Sequence, residues 1–230
     1  MDARTIQRRL VVHGFAVTID GEIGPETKEA LSKFQKGLGL LGTGVPGPKT
    51  FAALAAAPLK SGQSIPKHIE IARKFEGLTE TPGKASNPVV EQFFADAGFK
   101  GLKDDVPWCA AFVASMLKRA GLPNEVDPKM RLWAASYANC GVRIAKPAYG
   151  CIGVKTRNGG GHVGFVVAAN DTHIWLLGGN QGDKVSVAKF ARYSGGKPVF
   201  TAFCLPTGID LASLPKLPTS AVGVFNPSQA

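Results

Sequence analysis

Asp104-Asp105-Val106-Pro107-Trp108-Cys109-Ala110-Ala111-Phe112-Val113-Ala114-Ser115-Met116-Leu117-Lys118-Arg119-Ala120-Gly121 reads as one helix with both ends marked. The two acids and Pro107 open it, the acids as caps, and Gly121 closes it. Val113, Met116 and Ala120 follow Cys109 at helical spacing, so the first-turn thiol is expected to face the interior. A thiol at that place feels the positive end of the helix dipole, which favours thiolate. The unpaired amides of the first turn could also receive an oxyanion. A lone cysteine on an amphipathic helix is more often structural, so the assignment needs a partner base.

That partner lies in Gly159-Gly160-Gly161-His162-Val163-Gly164-Phe165-Val166-Val167. Val163, Phe165 and Val167 alternate, which predicts a strand with His162 and Gly164 on its other face. Gly164 is expected to leave room for a helix end. Ile174 to Leu177 predicts the next strand, followed by Gly178-Gly179-Asn180-Gln181. With a three-residue loop at Asn170-Asp171-Thr172, His162 falls opposite Asn180 and His173 opposite Ala169. A two-residue turn would move Asn180 to the other face. His13 belongs to the N-terminal repeat, His68 to the edge of a linker and His173 to the far end of the hairpin. Cys109, His162 and Asn180 then form a nucleophile, a base and a group that orients the base.

Working back to the N-terminus, Gly21 to Leu31 and Gly44 to Leu54 are identical at six of eleven positions, at an offset of 23. Each copy reads as a Gly-Pro turn, a Thr at a helix start and an Ala-Leu face. With a helix over residues 4–14 carrying Ile6 and Leu10, the repeat predicts a three-helix module. Residues 55–66 change composition and read as a linker.

Asp20 to Gln35 fit D-G-x-x-G-P-x-T-x-x-A-L-x-x-F-Q at every fixed position. This resembles the signature of the peptidoglycan-binding domains found at the ends of wall hydrolases. The resemblance implies Asp20, Gly21, Gly24 and Thr27 as substrate-binding residues. Trp108-Cys109-Ala110-Ala111-Phe112-Val113, Gly161-His162-Val163-Gly164-Phe165 and Leu177-Gly178-Gly179-Asn180-Gln181 resemble three blocks of the CHAP/NlpC-like cysteine peptidases, from about Ile71 to Phe190. One departure is Gly150-Cys151, where such domains often carry Gly-Asp. The implied fold is α+β: the three-helix module, then a papain-like domain with helices on one face of an antiparallel sheet of about five strands. The expected boundaries are 1–57, a linker at 58–66, a catalytic domain at 67–205 and a poorly ordered tail at 206–230. The implied activity is hydrolysis of stem amides as endopeptidase or N-acetylmuramoyl-L-alanine amidase, in the manner of a bacteriophage endolysin. A non-catalytic wall-binding protein and an acyltransferase on the same fold are the alternatives.

The net charge of +10 favours anionic partners, including an acidic envelope, but the basic residues form no run that would suit nucleic acid. No apolar stretch is long enough to cross a membrane. Arg4, Arg8 and Arg9 precede a short apolar run, yet His13 and Gly14 interrupt it and no cleavage site follows, so no signal peptide is expected. A monomer made in a host cytoplasm and acting on the wall after release fits these features. Cys109, Cys140, Cys151 and Cys204 have neither zinc-site nor disulfide-scaffold spacing. No cofactor or metal is expected; Asp104 and Asp105 would be the place for calcium. Trp108, Trp133 and Trp175 read first as core, with Trp108, beside the nucleophile, also placed against substrate.

Overall fold

The computed structural model describes residues 1–38, 40–55, 63–83, 85–157 and 160–221. They fall into two compact units.

The N-terminal unit holds α1 (Ala3–Val12), α2 (Pro25–Gly37) and α3 (Pro48–Ala55). Asp2 caps α1 by accepting from the Thr5 amide at 2.7 Å, and Pro25 occupies the first turn of α2. Ile6, Leu10, Ala30, Leu31, Phe34 and Leu54 close the core. Each copy of the repeat folds its loop around a buried glutamine from the preceding helix. Gln7 accepts from the Gly21 amide at 2.8 Å and donates to the Glu22 carbonyl at 2.8 Å and to Thr27 Oγ1 at 3.2 Å. Gln35 accepts from the Gly44 amide at 2.9 Å and donates to the Val45 carbonyl at 2.8 Å and to Thr50 Oγ1 at 3.1 Å. Both glycines have positive φ (91° and 69°), and a Cβ on Gly44 would lie 2.7 Å from the Lys28 carbonyl oxygen. Glycine is therefore required at the turn of each copy.

The second unit begins at Gln63. Its helices are α4 (Lys67–Arg73), α5 (Pro88–Ala97) and α6 (Cys109–Ala120), and its strands β1 (Val142–Arg143), β2 (Ile152–Arg157), β3 (Gly160–Ala169), β4 (His173–Gly178), β5 (Ser186–Ala191), β6 (Tyr193–Ser194), β7 (Lys197–Pro198) and β8 (Phe200–Leu205). The main sheet is antiparallel with six strands in the order β1-β8-β2-β3-β4-β5, one more than expected. Asn87 caps α5 with Pro88 behind it, and Gly98 and Gly121 end α5 and α6 in left-handed conformations.

The sheet is covered on both faces. Helices α4 and α6 pack on β3 and β4, where Phe165 meets the ring of His68. On the other face Cys151, Val166, Ile174, Leu176 and Phe200 are closed over by Leu205 and Leu214. Residues 206–221, part of the segment expected to be a loose tail, are instead a strap. Ala169 donates to the Pro218 carbonyl at 2.8 Å and Asn170 Nδ2 to that of Thr219 at 3.1 Å. Its prolines suit an extended run, interrupted by one 3-10 turn at Leu211–Ser213, and Ile209, Leu214 and Leu217 supply the apolar contacts. Residues 222–230 lie outside the described residues, as do 58–62 of the expected linker. Ser64, in the remainder of that linker, donates to the Ser213 carbonyl at 3.0 Å.

His68 is fully buried on α4. Its Nε2 donates to the Gly150 carbonyl at 2.8 Å, while Nδ1 has no hydrogen-bond partner. Burial pulls its pKa from 6.5 down to about 4, against the smaller opposing effect of the Gly150 bond. The folded chain thus refuses a proton that the unfolded chain accepts. Stability present above pH 6.5 is lost as the pH falls toward 4 and levels off below it, by about 3 kcal/mol over that interval. Denaturant melts of His68→Gln should have a flatter pH slope across this window than wild type. Parallel slopes would refute the assignment.

Candidate active site

Cys109 is the first residue of α6 and is 7% exposed. The helix has no side-chain cap: Trp108 precedes it, and Asp104, expected to cap, instead accepts from the Thr81 and Asn87 amides, both at 2.8 Å. Those amide bonds outweigh burial and hold the Asp104 carboxyl below its ordinary range; desolvation is the largest single effect and opposes them. The first turn of α6 is left without a carboxylate that would compete for its amides.

Trp108 is fully buried, so it cannot be the substrate contact expected of it. Its Nε1 donates to Glu80 Oε1 at 2.6 Å, and Asn180 Nδ2 donates to the same oxygen at 2.7 Å. Gly179 lies flat on the indole: a Cβ there would come within 2.3 Å of the Trp108 ring and 2.9 Å of Phe112 Cβ. Residues on either side of Cys109 in the chain therefore dock the Gly178–Gln181 turn onto α6.

The loop between β3 and β4 has the expected three residues, and Phe165 pairs with Leu177 in the expected register. A bulge between Val166 and Ala168 then shifts the pairing, so Ala169 faces Ile174 rather than His173. At the other end the β3–β4 pairing stops at Leu177, β4 ends at Gly178, and Asn180 turns to φ 55°. That left-handed residue leaves the strand and carries its side chain to Glu80. Gln181 takes the place beside the imidazole: His162 Nε2 is 3.0 Å from Gln181 Oε1. Gly164 makes room for β4, where a Cβ would lie 3.0 Å from the Leu177 carbonyl oxygen, and not for a helix end.

The Gln181 bond fixes a proton. Its amide nitrogen donates to the carbonyls of Leu176, Gly178 and Ser186, so the oxygen must be the atom turned to the ring. An amide oxygen only accepts, hence Nε2 of His162 carries hydrogen. Lys155, directly across from His162 on β2, holds its Nζ 4.6 Å from the Phe190 ring, and Phe190 lies 5.5 Å from the His162 ring. Tyr137 Oη lies 3.2 Å from the Ala110 carbonyl oxygen; burial, against the smaller opposing effect of the hydrogen bond from Asn124, keeps this phenol protonated. Gln181, Glu80, Lys155 and Tyr137 were not singled out from sequence, although Gln181 stands in the same block as Asn180.

In the N-terminal unit, Thr27 is buried on Gln7, and Asp20 Oδ1 accepts from Gln7 at 2.6 Å and from the Glu22 amide at 2.8 Å. Gly21 gives its amide to Gln7, and Gly24 precedes α2. These four signature residues are engaged in shaping the loop. Among the described residues no cluster of three metal-ligating side chains occurs.

Residues 2–54 match the family model of a putative peptidoglycan binding domain, and residues 101–180 match that of the CHAP domain. No curated protein and no solved structure matches the chain. A peptidoglycan-binding domain followed by a CHAP domain supports a role as a peptidoglycan hydrolase, with peptidoglycan as a partner.

Proposed function

We propose that the chain hydrolyses amide bonds of peptidoglycan stem peptides through a thioester on Cys109, with His162 as acid and base. Gln181 holds the orienting place expected of Asn180. The observation that carries this reading is the His162–Gln181 bond, on a strand packed against the helix that Cys109 begins. With Nε2 held as a donor, Nδ1 is the nitrogen that exchanges a proton with the thiol.

The thiolate of Cys109 adds to the amide carbon, and the first-turn amides of α6 receive the developing oxyanion. The C–N bond breaks as the Nδ1 proton passes to the leaving amine, and a thioester remains. Water then gives a proton to Nδ1 and its oxygen to the carbonyl carbon. Breaking the C–S bond releases a carboxylic acid and restores thiolate and imidazolium. The N-terminal unit would hold the catalytic unit near the wall at an effective concentration on the order of millimolar. The modular order and the +10 charge fit a phage endolysin, a monomer made in the host cytoplasm that meets the wall after release.

Digestion of purified sacculi tests the reaction class. Clearing should release new primary amines and no new reducing sugar ends. Reducing ends without amines would replace this reading with a glycosidase.

A further inference from the structure

Two of the three tryptophans have structural work: Trp108 is buried on Glu80, and Trp175 is half-buried beside Lys189. Trp133 is 64% exposed. It is nonetheless held in place. Its amide donates to the Met130 carbonyl at 2.9 Å and its carbonyl accepts from Ser136 at 3.1 Å. Arg131 ties the same turn down by donating to the carbonyls of Val126 and Asn124 at 3.2 and 3.3 Å.

The turn also touches both halves of the active site. Tyr137 reaches the Ala110 carbonyl oxygen, one residue past Cys109, and lies 3.1 Å from that of Arg131. Ala134, next to Trp133, packs on the residue before His162: a Cβ on Gly161 would lie 3.3 Å from Ala134 Cβ. Trp133 therefore sits on a tied-down turn between the base strand and the nucleophile helix, with its indole uncovered.

We infer that Trp133 is a platform for the pyranose ring beside the scissile amide, which directs Cys109 to the bond joining the sugar's lactyl group to the first alanine. A pyranose offers a flat face of C–H bonds that matches the negative face of an indole. The small and acidic residues of a stem peptide have no such face. Only the amide at the sugar end keeps a ring within reach of the reacting carbon. This inference rests on the hydrolase reading above and adds the bond it cuts.

The test uses the full-length protein with two soluble substrates, a disaccharide-tetrapeptide and the same stem carrying only a lactyl group. Wild type should release free disaccharide and have a KM about tenfold lower for the sugar-bearing substrate. Trp133→Ala should raise that KM about tenfold, change kcat less than about twofold and erase the preference. Trp133→Phe should recover most of the affinity, with melting temperature and sedimentation on sacculi unchanged. An unchanged KM in Trp133→Ala, cleavage further along the stem, or Trp133-dependent binding to lipid vesicles would overturn the platform. In each of those cases wild type still cuts an amide or still clears sacculi. Failure of wild type to cut either substrate or sacculi would remove the hydrolase reading itself.

Discussion

Replacing Cys109 by alanine is expected to lower wall hydrolysis by about 10⁴-fold or more while sedimentation with sacculi persists. The substitution deletes one sulfur at the first residue of α6 and leaves a good helix former, so the fold should be kept. Cys109→Ser should fare little better, because a hydroxyl yields its proton far less readily than a thiol. The other three thiols offer no substitute nucleophile. Burial raises Cys140 and Cys204 above the ordinary thiol range and pushes Cys151 up to about 12. Iodoacetamide should therefore inactivate the native protein by modifying Cys109 first, and peptide mapping would show it. Equal clearing by wild type and Cys109→Ala would end the cysteine mechanism.

Gln181→Leu is expected to lower kcat by about 10² to 10⁴, the scale on which a misassigned imidazole tautomer is felt. Leucine fills similar space but offers Nε2 no acceptor, so the ring is free to carry its proton on the wrong nitrogen. The three carbonyls that Gln181 serves also lose a donor, at a cost of about 1–3 kcal/mol, so melting temperature must be read beside the rates. Gln181→Glu separates the two effects. It too takes the donor from those carbonyls, but its carboxylate still accepts from Nε2 and stabilises the imidazolium, which should move the alkaline limb of the pH–rate profile upward. Asn180→Gly, which tolerates φ 55° and removes only the bond to Glu80, should cost less than about tenfold. A larger loss from Asn180→Gly than from Gln181→Leu would return the orienting role to Asn180.

Sequence reading reached the three helices of the N-terminal unit and the run of α6 to its end, because the Gly-Pro turns and Gly121 act locally. It reached the hairpin loop for the same reason. It missed by one residue at Asn180, where a single left-handed residue exchanges which side chain meets His162. Nothing in an alternating pattern announces that. The bulge at Val166 to Ala168 is equally silent, since every residue around it is apolar. The strap over the second face was hidden by its prolines, which read as disorder although Leu214 and Leu217 were there to be buried. Trp108 illustrates the opposite error: an aromatic beside a nucleophile suggested substrate contact, while its distant partners Glu80 and Gly179 make it a floor.

The paired glutamines of the N-terminal unit separate a loop's shape from its chemistry. Gln7 and Gln35 grip backbone atoms and a threonine, and Asp20 or Thr43 braces the turn, so the frame is rebuilt whatever side chain follows the glycine. There one copy displays the exposed Glu22 and the other Val45, 66% exposed. An acidic surface and an apolar one thus stand on one scaffold, and either copy can diverge toward a new wall chemistry without unmaking the fold that presents it.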